Sequence, residues 1–168
     1  MNNVIFLDID GCINTYQSNK LPGKYIESVF LNSPIYVNEL DKKCIENFNK
    51  IIFHTNANIV ISSTWRIEFV ENGCFNLLID YLHSQGLKGK IVSYTPIMDN
   101  KIANSFLFQT KTRAEEIKQY IQDHQTENYV VIDDDTTCID YSPNWIQTYF
   151  EDGLTEELAN KAIEILKI

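Results

Sequence analysis

The chain reads as an α/β protein, a parallel β-sheet covered by helices on both faces. Two observations lead there. Short apolar runs rich in β-branched residues alternate with helix-length amphipathic stretches along the 168 residues, which is the pattern of strands joined by crossover helices. Three of those runs end in polar side chains, at Asp8/Asp10, Ser62/Ser63 and Asp133/Asp134. In such sheets ligands sit at the carboxyl ends of the strands, so one mouth should collect all three sets. The length suits a single domain over residues 1–168 with at most a modest insert.

Residues 4–7 form a short apolar run that stops at Asp8, as a buried strand would. Residues 11–38 are irregular and carry Pro22, Gly23 and Pro34. A connection that long within one domain is usually functional, so this segment is expected to be a flap or minimal cap. A helix is expected over 39–53, because Leu40, Cys44, Ile45, Phe48, Ile51 and Ile52 share one face. Residues 58–61 make a second buried strand, ending at Ser62-Ser63-Thr64.

Residues 65–84 read as helix, interrupted near Gly73, and 90–94 as a third strand. The stretch 64–110 offers room for a second insertion, and within it 100–110 is ambiguous, anchored by Phe106 and Phe108. Thr112-x-x-Glu115 is a capping-box pattern, so a helix should start at Arg113, with Ala114, Ile117, Tyr120 and Ile121 facing inward. Residues 129–132 form a strand ending at Asp133-Asp134-Asp135, and 145–149 the last strand. Thr155 can cap the terminal helix, with Leu158, Ala162, Ile165 and Leu166 inward.

Composition narrows the function classes. Fourteen basic against 23 acidic residues give a net charge of −9. That excludes a broad electrostatic grip on nucleic acid, though not a local basic cleft. Cys12, Cys44, Cys74 and Cys138 are widely spaced, with no CxxC and no nearby His. Four reduced, mostly buried thiols fit better than disulfides or zinc. The N-terminus enters a strand directly, and no apolar stretch approaches roughly 18 residues. A cytoplasmic protein with no membrane partner is expected, and the sequence says nothing of oligomeric state.

The chemistry concentrates at the expected mouth. Asp8-Ile9-Asp10-Gly11 alone reads equally well as a turn, and Asp133-Asp134-Asp135 alone as a solvated loop. An EF-hand fails because its glycine belongs at the sixth position. Two acidic clusters at one mouth repel each other unless a cation lies between them. Hard oxygen ligands without His or Cys favour Mg²⁺ between the Asp8/Asp10 and Asp133-Asp134-Asp135 clusters. Ser62 and Ser63, just before a helix, offer hydroxyls and N–H groups to an anion, although Ser-Ser-Thr is also an ordinary cap. Arg66 and Arg113 each fall in a helix's first turn, where a cation opposes the dipole at a cost of about 0.3–1 kcal/mol. Each is therefore expected to meet an anion, the alternative being a solvated surface arginine, with Lys111 as a competing cation beside Arg113.

Together these segments resemble the haloacid dehalogenase (HAD) superfamily of phosphohydrolases. Its four motifs are matched in order by Val4-Ile5-Phe6-Leu7-Asp8-Ile9-Asp10-Gly11, Ile59-Val60-Ile61-Ser62, the helix-start Arg113, and Val130-Val131-Ile132-Asp133-Asp134. Ile-Asp-Gly-Cys-Ile-Asn, Ser-Ser-Thr-Trp-Arg and Thr-Arg-Ala-Glu-Glu-Ile look like the small HAD domains associated with RNA repair proteins. The usual cation of the third motif is Lys, which keeps Lys111 in play.

The resemblance implies a Rossmann-like HAD fold with a small or absent cap, and a Mg²⁺-dependent phosphatase. Asp8 would be the nucleophile that forms an aspartyl-phosphate, and Asp10 the acid/base. Mg²⁺ would be held by Asp8, the Asp10 carbonyl and Asp133, with Asp134 as a further ligand or water-orienting group. The phosphate-binding set would be Ser62, Ser63, Arg113, Lys111, Arg66 and Gly11. The partner is a phosphorylated substrate, with a nucleic-acid end, a nucleotide and other phosphomonoesters all open. Five basic residues (Lys88, Lys90, Lys101, Lys111, Arg113) against Asp99 over 86–113 could face a polyanion or simply solvent. Two alternatives stand beside the phosphatase. One is a non-catalytic HAD-fold binding or regulatory module, which would not need Asp10. The other is a phosphate-accepting receiver-type domain, which would hold a long-lived aspartyl-phosphate.

Overall fold

The computed structural model describes residues 3–29, 31–98 and 112–167. Its strands are β1 (Val4–Leu7), β2 (Lys24–Ile26), β3 (Ile35–Val37), β4 (Asn58–Ile61), β5 (Ile91–Tyr94), β6 (Tyr129–Asp133) and β7 (Trp145–Gln147). Its helices are α1 (Lys42–Thr55), α2 (Trp65–Glu71), α3 (Phe75–Ser84), α4 (Arg113–His124) and α5 (Glu156–Leu166). Five strands form one sheet in the order β5-β4-β1-β6-β7, and each adjacent pair is parallel. The chain builds outward from β1 through β4 to β5, then returns to the other side of β1 for β6 and β7. The strand order therefore reverses between β1 and β6, the position where such sheets open a crevice.

Register places the site. Leu7 is opposite Ile61 on β4 and opposite Ile132 on β6. The next residue of each strand, Asp8, Ser62 and Asp133, therefore lies level with the others. The strands alternate between two apolar layers. Ile5, Leu7, Ile59, Ile61, Val130 and Ile132 belong to one, with Phe48 and Ile51 of α1, Leu78 of α3 and Ala162 of α5. Val4, Phe6, Val60 and Val131 belong to the other, with Ile117 and Tyr120 of α4 and Cys138. The helices thus cover both faces, and the strands read as continuous apolar runs because neither face meets water.

Local chemistry sets the helix ends. Thr112 and Glu115 form the capping box, so α4 begins at Arg113 as the sequence indicates. Thr155 accepts from the Leu158 N–H and starts α5. The expected helix over 39–53 begins later, at Lys42, because the Asp41 side chain accepts from the Lys43 and Cys44 N–H groups. The expected 65–84 helix is two helices, broken over residues 72–74 around Gly73. All four cysteines are free and buried.

The described residues of the irregular segment 11–38 include a 3-10 turn at Ser18–Lys20 and the antiparallel hairpin β2–β3. Both hairpin strands have only three residues, too few to show an apolar period, and β2 exposes two adjacent side chains, Lys24 and Tyr25. Residues 65–94, within the stretch considered for a second insertion, supply the crossover from β4 to β5. Phe106, Phe108 and Lys111 lie outside the described residues. No described helix is long and apolar enough to cross a membrane.

Candidate active site

β1 delivers Asp8 to the mouth almost fully buried. Arg113, the first residue of α4, reaches over the sheet and bridges two carboxylates. Its Nη1 donates to Asp8 Oδ1 at 2.8 Å and to Asp133 Oδ2 at 3.0 Å. The carboxylate oxygens of Asp8, Asp133 and Asp134 come within 4.8 Å of one another. Burial and the absence of enough positive charge push these acids up. Asp8 rises from its ordinary value because burial outweighs the opposing Arg113 charge. Asp133 is pushed up to about 7 by burial and by Asp8. Asp134, less buried, goes to about 6 for the same reasons. Burial works against the Arg113 charge, but Asp8 and Asp133 more than offset it, so Arg113 stays charged.

This donor set fits Mg²⁺. Three carboxylates without His or Cys are hard oxygen ligands, and one guanidinium leaves them short of positive charge. Gly11 belongs to the same construction. Its φ of +74° suits glycine, and a Cβ there would lie 2.6 Å from Asp134 Cγ. Only a residue without a side chain lets Asp134 lie against this turn.

Asp10 is arranged differently from Asp8. Asn14 Nδ2 donates to Asp10 Oδ1 at 2.6 Å and Trp65 Nε1 donates to Asp10 Oδ2 at 2.8 Å. Both of its carboxylate oxygens are engaged by these donors, and Asp10 is not part of the three-carboxylate group. One acid of the pair belongs to the three-carboxylate group, and the other is held by Asn14 and by the first residue of α2.

Of the expected phosphate contacts, Ser62 is the best placed. Its N–H is spent on Leu7 O, but its Oγ is fully buried and has no hydrogen-bond partner among the described residues. A buried, unpaired hydroxyl beside Asp8 is costly unless a ligand completes it. Ser63 is committed locally: its Oγ accepts from the Trp65 N–H at 3.3 Å. Thr95, at the end of β5, carries a second buried hydroxyl with no partner among the described residues.

Arg66 requires a correction. Its side chain is buried, and all five guanidinium N–H donors are accounted for by carbonyls of Ser62, Ser63, Thr95 and Pro96 and by Glu116. The Glu116 contact is 2.6 Å. No donor remains for a phosphate. The anion that matches Arg66 is Glu116 on α4, fifty residues away, and the arginine ties the ends of β4 and β5 to α4. The basic run is also divided. Lys88 and Lys90 precede β5, at the opposite end of the sheet from the mouth, while Lys101 and Lys111 are outside the described residues.

Sequence reasoning assigned no role to Asn14, Trp65, Glu116 or Thr95. Asn14 carried a local signal, four residues after Asp10 in a turn whose Gly11 N–H donates to Asn14 O. Trp65 and Glu116 lay within segments that carried the family resemblance, but their partners sit 55 and 50 positions away and no local pattern names them.

A parallel sheet whose strand order reverses beside Asp8, with acidic strand ends and a basic helix start meeting there, is the architecture of the HAD superfamily. The chain belongs to the family described as the HAD domain in Swiss Army Knife RNA repair proteins, whose model matches residues 4–159. No curated protein and no solved structure matches the chain.

Proposed function

We propose that this domain is a Mg²⁺-dependent phosphohydrolase that transfers the phosphoryl group of a phosphomonoester to Asp8 and then to water. The observation that carries the reading is the division of labour between two aspartates two residues apart. Asp8 is bound to Arg113 within the three-carboxylate group, whereas the Asp10 carboxylate is held outside it by Asn14 and Trp65. A nucleophile needs the first environment and a proton carrier needs the second.

Asp8, Asp133 and Asp134 would hold Mg²⁺, with the Asp10 carbonyl as the resemblance implies. The ion would supply positive charge to a phosphate bound beside it. An Asp8 carboxylate oxygen attacks phosphorus and the ester P–O bond breaks. Asp10 gives its proton to the departing oxygen. Arg113 and the Ser62 hydroxyl stabilise the charge that spreads over the phosphoryl oxygens. Asp10, now a carboxylate, takes a proton from the water that attacks the aspartyl-phosphate. Inorganic phosphate leaves, and both aspartates return to their starting states.

The family's description names RNA repair proteins, which supports a phosphorylated nucleic-acid end as the substrate. The test is a Mg²⁺-dependent phosphate-release screen over 3′- and 5′-phosphorylated oligonucleotides, mononucleotides, sugar phosphates and phosphopeptides. Wild type should favour the oligonucleotide ends, and Asp8→Asn should release nothing. Retained activity in Asp8→Asn rejects the nucleophile. An inert wild type that still binds Mg²⁺ favours a binding module.

A further inference from the structure

Asp10 forms part of the wall of a pocket of about 310 Å³ between β3 and α2. That size is at the lower end for small-ligand sites, roughly 300–1,000 Å³. Tyr36, Trp65 and Phe69 give it aromatic walls. Its rings are braced. Tyr36 Oη accepts from the Gly23 N–H at 3.0 Å. A Cβ on Gly23 would stand 2.5 Å from Tyr36 Cζ, so glycine lets this ring lie against the backbone. The Tyr36 ring also meets Tyr25 edge-on at 5.2 Å. Trp65 lies 6.4 Å from the Tyr81 ring, over which Lys24 of the hairpin places its ammonium at 4.9 Å.

The reaction proposed above gives this pocket a meaning. The group that protonates the departing oxygen must stand on the departing side. What lies on Asp10's side is this pocket. We propose that it is the leaving-group subsite, that it takes a flat heteroaromatic ring such as a nucleobase, and that Trp65 is the positioning residue that holds Asp10 at its entrance. The proposal rests on the phosphohydrolase reading. Ring walls favour a flat ring because stacking needs only a π-face on the ligand. The indole N–H donates and never accepts. It therefore keeps Asp10 Oδ2 as an acceptor in both protonation states and fixes the rotation of the carboxyl group, while the ring serves the pocket.

The test uses the full chain with Mg²⁺ and three esters: p-nitrophenyl phosphate, glycerol phosphate and adenosine 5′-monophosphate. Trp65→Phe keeps a ring but deletes the N–H. Its kcat should fall on the order of 10²-fold on the two alkyl esters, whose leaving oxygens need a proton. It should fall far less on p-nitrophenyl phosphate, whose leaving group departs as the anion. Trp65→His, which retains a ring N–H, should recover part of the loss. Tyr36→Ala should raise KM for the adenosine ester about tenfold more than for glycerol phosphate, the size expected for one lost stacking partner. Equal losses on all three esters in Trp65→Phe, or equal KM changes in Tyr36→Ala, overturn the proposal.

A binding readout is independent of turnover. Titration of wild type with adenosine should move the Trp65 indole N–H resonance and leave that of Trp145 in place. Absence of a Trp65 shift rejects the subsite even if the enzyme is active. An inactive wild type rejects the phosphohydrolase reading instead, and the adenosine titration still decides the pocket.

Discussion

Metal-free protein should lose stability as the pH rises from about 5 to about 8, because Asp133 must then ionise in a buried, acid-rich site. Its folded value is about 7 against an ordinary 3.8. The folded state therefore keeps a proton that the unfolded chain has released. Between those two values folding binds protons, so stability falls with rising pH. The contribution is complete below about pH 4 and gone above about pH 7. From pH 5 upward about two pH units remain, which at about 1.4 kcal/mol each amount to on the order of 3 kcal/mol. For a chain of 168 residues that corresponds to a melting temperature lower by on the order of 10 °C.

The assay is thermal unfolding in chelator at pH 5 to 8, with Asp133→Asn as the comparison. The two proteins differ only at residue 133, so the difference between their slopes reports the Asp133 carboxyl group. Wild type should lose stability across the range and the variant much less. Added Mg²⁺ should restore wild type at pH 8 and do little at pH 5, where protons hold the same oxygens. Parallel slopes in the two proteins, or wild-type stability that rises with pH, would refute the reasoning.

Arg66→Met should cost about 3–5 kcal/mol in denaturant unfolding, since it leaves partly buried Glu116 without its charge partner and strips four carbonyls of their donor. If Arg66 served the phosphate instead, the loss would fall on turnover and not on stability. Gly11→Ala should weaken Mg²⁺ binding by calorimetry more than it lowers stability, because its Cβ would displace the Asp134 carboxylate. Unchanged Mg²⁺ affinity in that variant would remove Asp134 from the ligand set. Asp10→Asn should leave Mg²⁺ binding intact and reduce turnover about 10²- to 10⁴-fold, the range for a lost general acid/base. A loss of Mg²⁺ binding there would mean that the side chain is a ligand after all.

The fold was legible wherever local chemistry decides it. β1 and β4 lie where the apolar runs place them, and the starts of α4 and α5 follow from Thr112 with Glu115 and from Thr155. Register then made the site legible, since equal strand ends bring Asp8, Ser62 and Asp133 side by side. The hairpin β2–β3 was not, because strands of three residues are too short to leave a period to read. Arg66 shows a different boundary. Its place against the helix dipole marked it as needing an anion, but a sequence does not say which one, and Glu116 on α4 satisfies it. The same holds for Trp65, whose bond to Asp10 spans fifty-five positions. A helix-start tryptophan looks like core until the tertiary structure aims its N–H.

The most direct test of the account is to identify the residue that carries the phosphoryl group. Asp10→Asn should slow hydrolysis of the intermediate, so acid-quenched protein from a reaction with p-nitrophenyl phosphate and Mg²⁺ should contain an acyl phosphate. Peptide mapping by mass spectrometry should place it on Asp8, and Asp8→Asn/Asp10→Asn should carry none. A phosphoryl group on any other residue, or phosphate release by Asp8→Asn at the wild-type rate, would contradict the claim that Asp8 is the nucleophile.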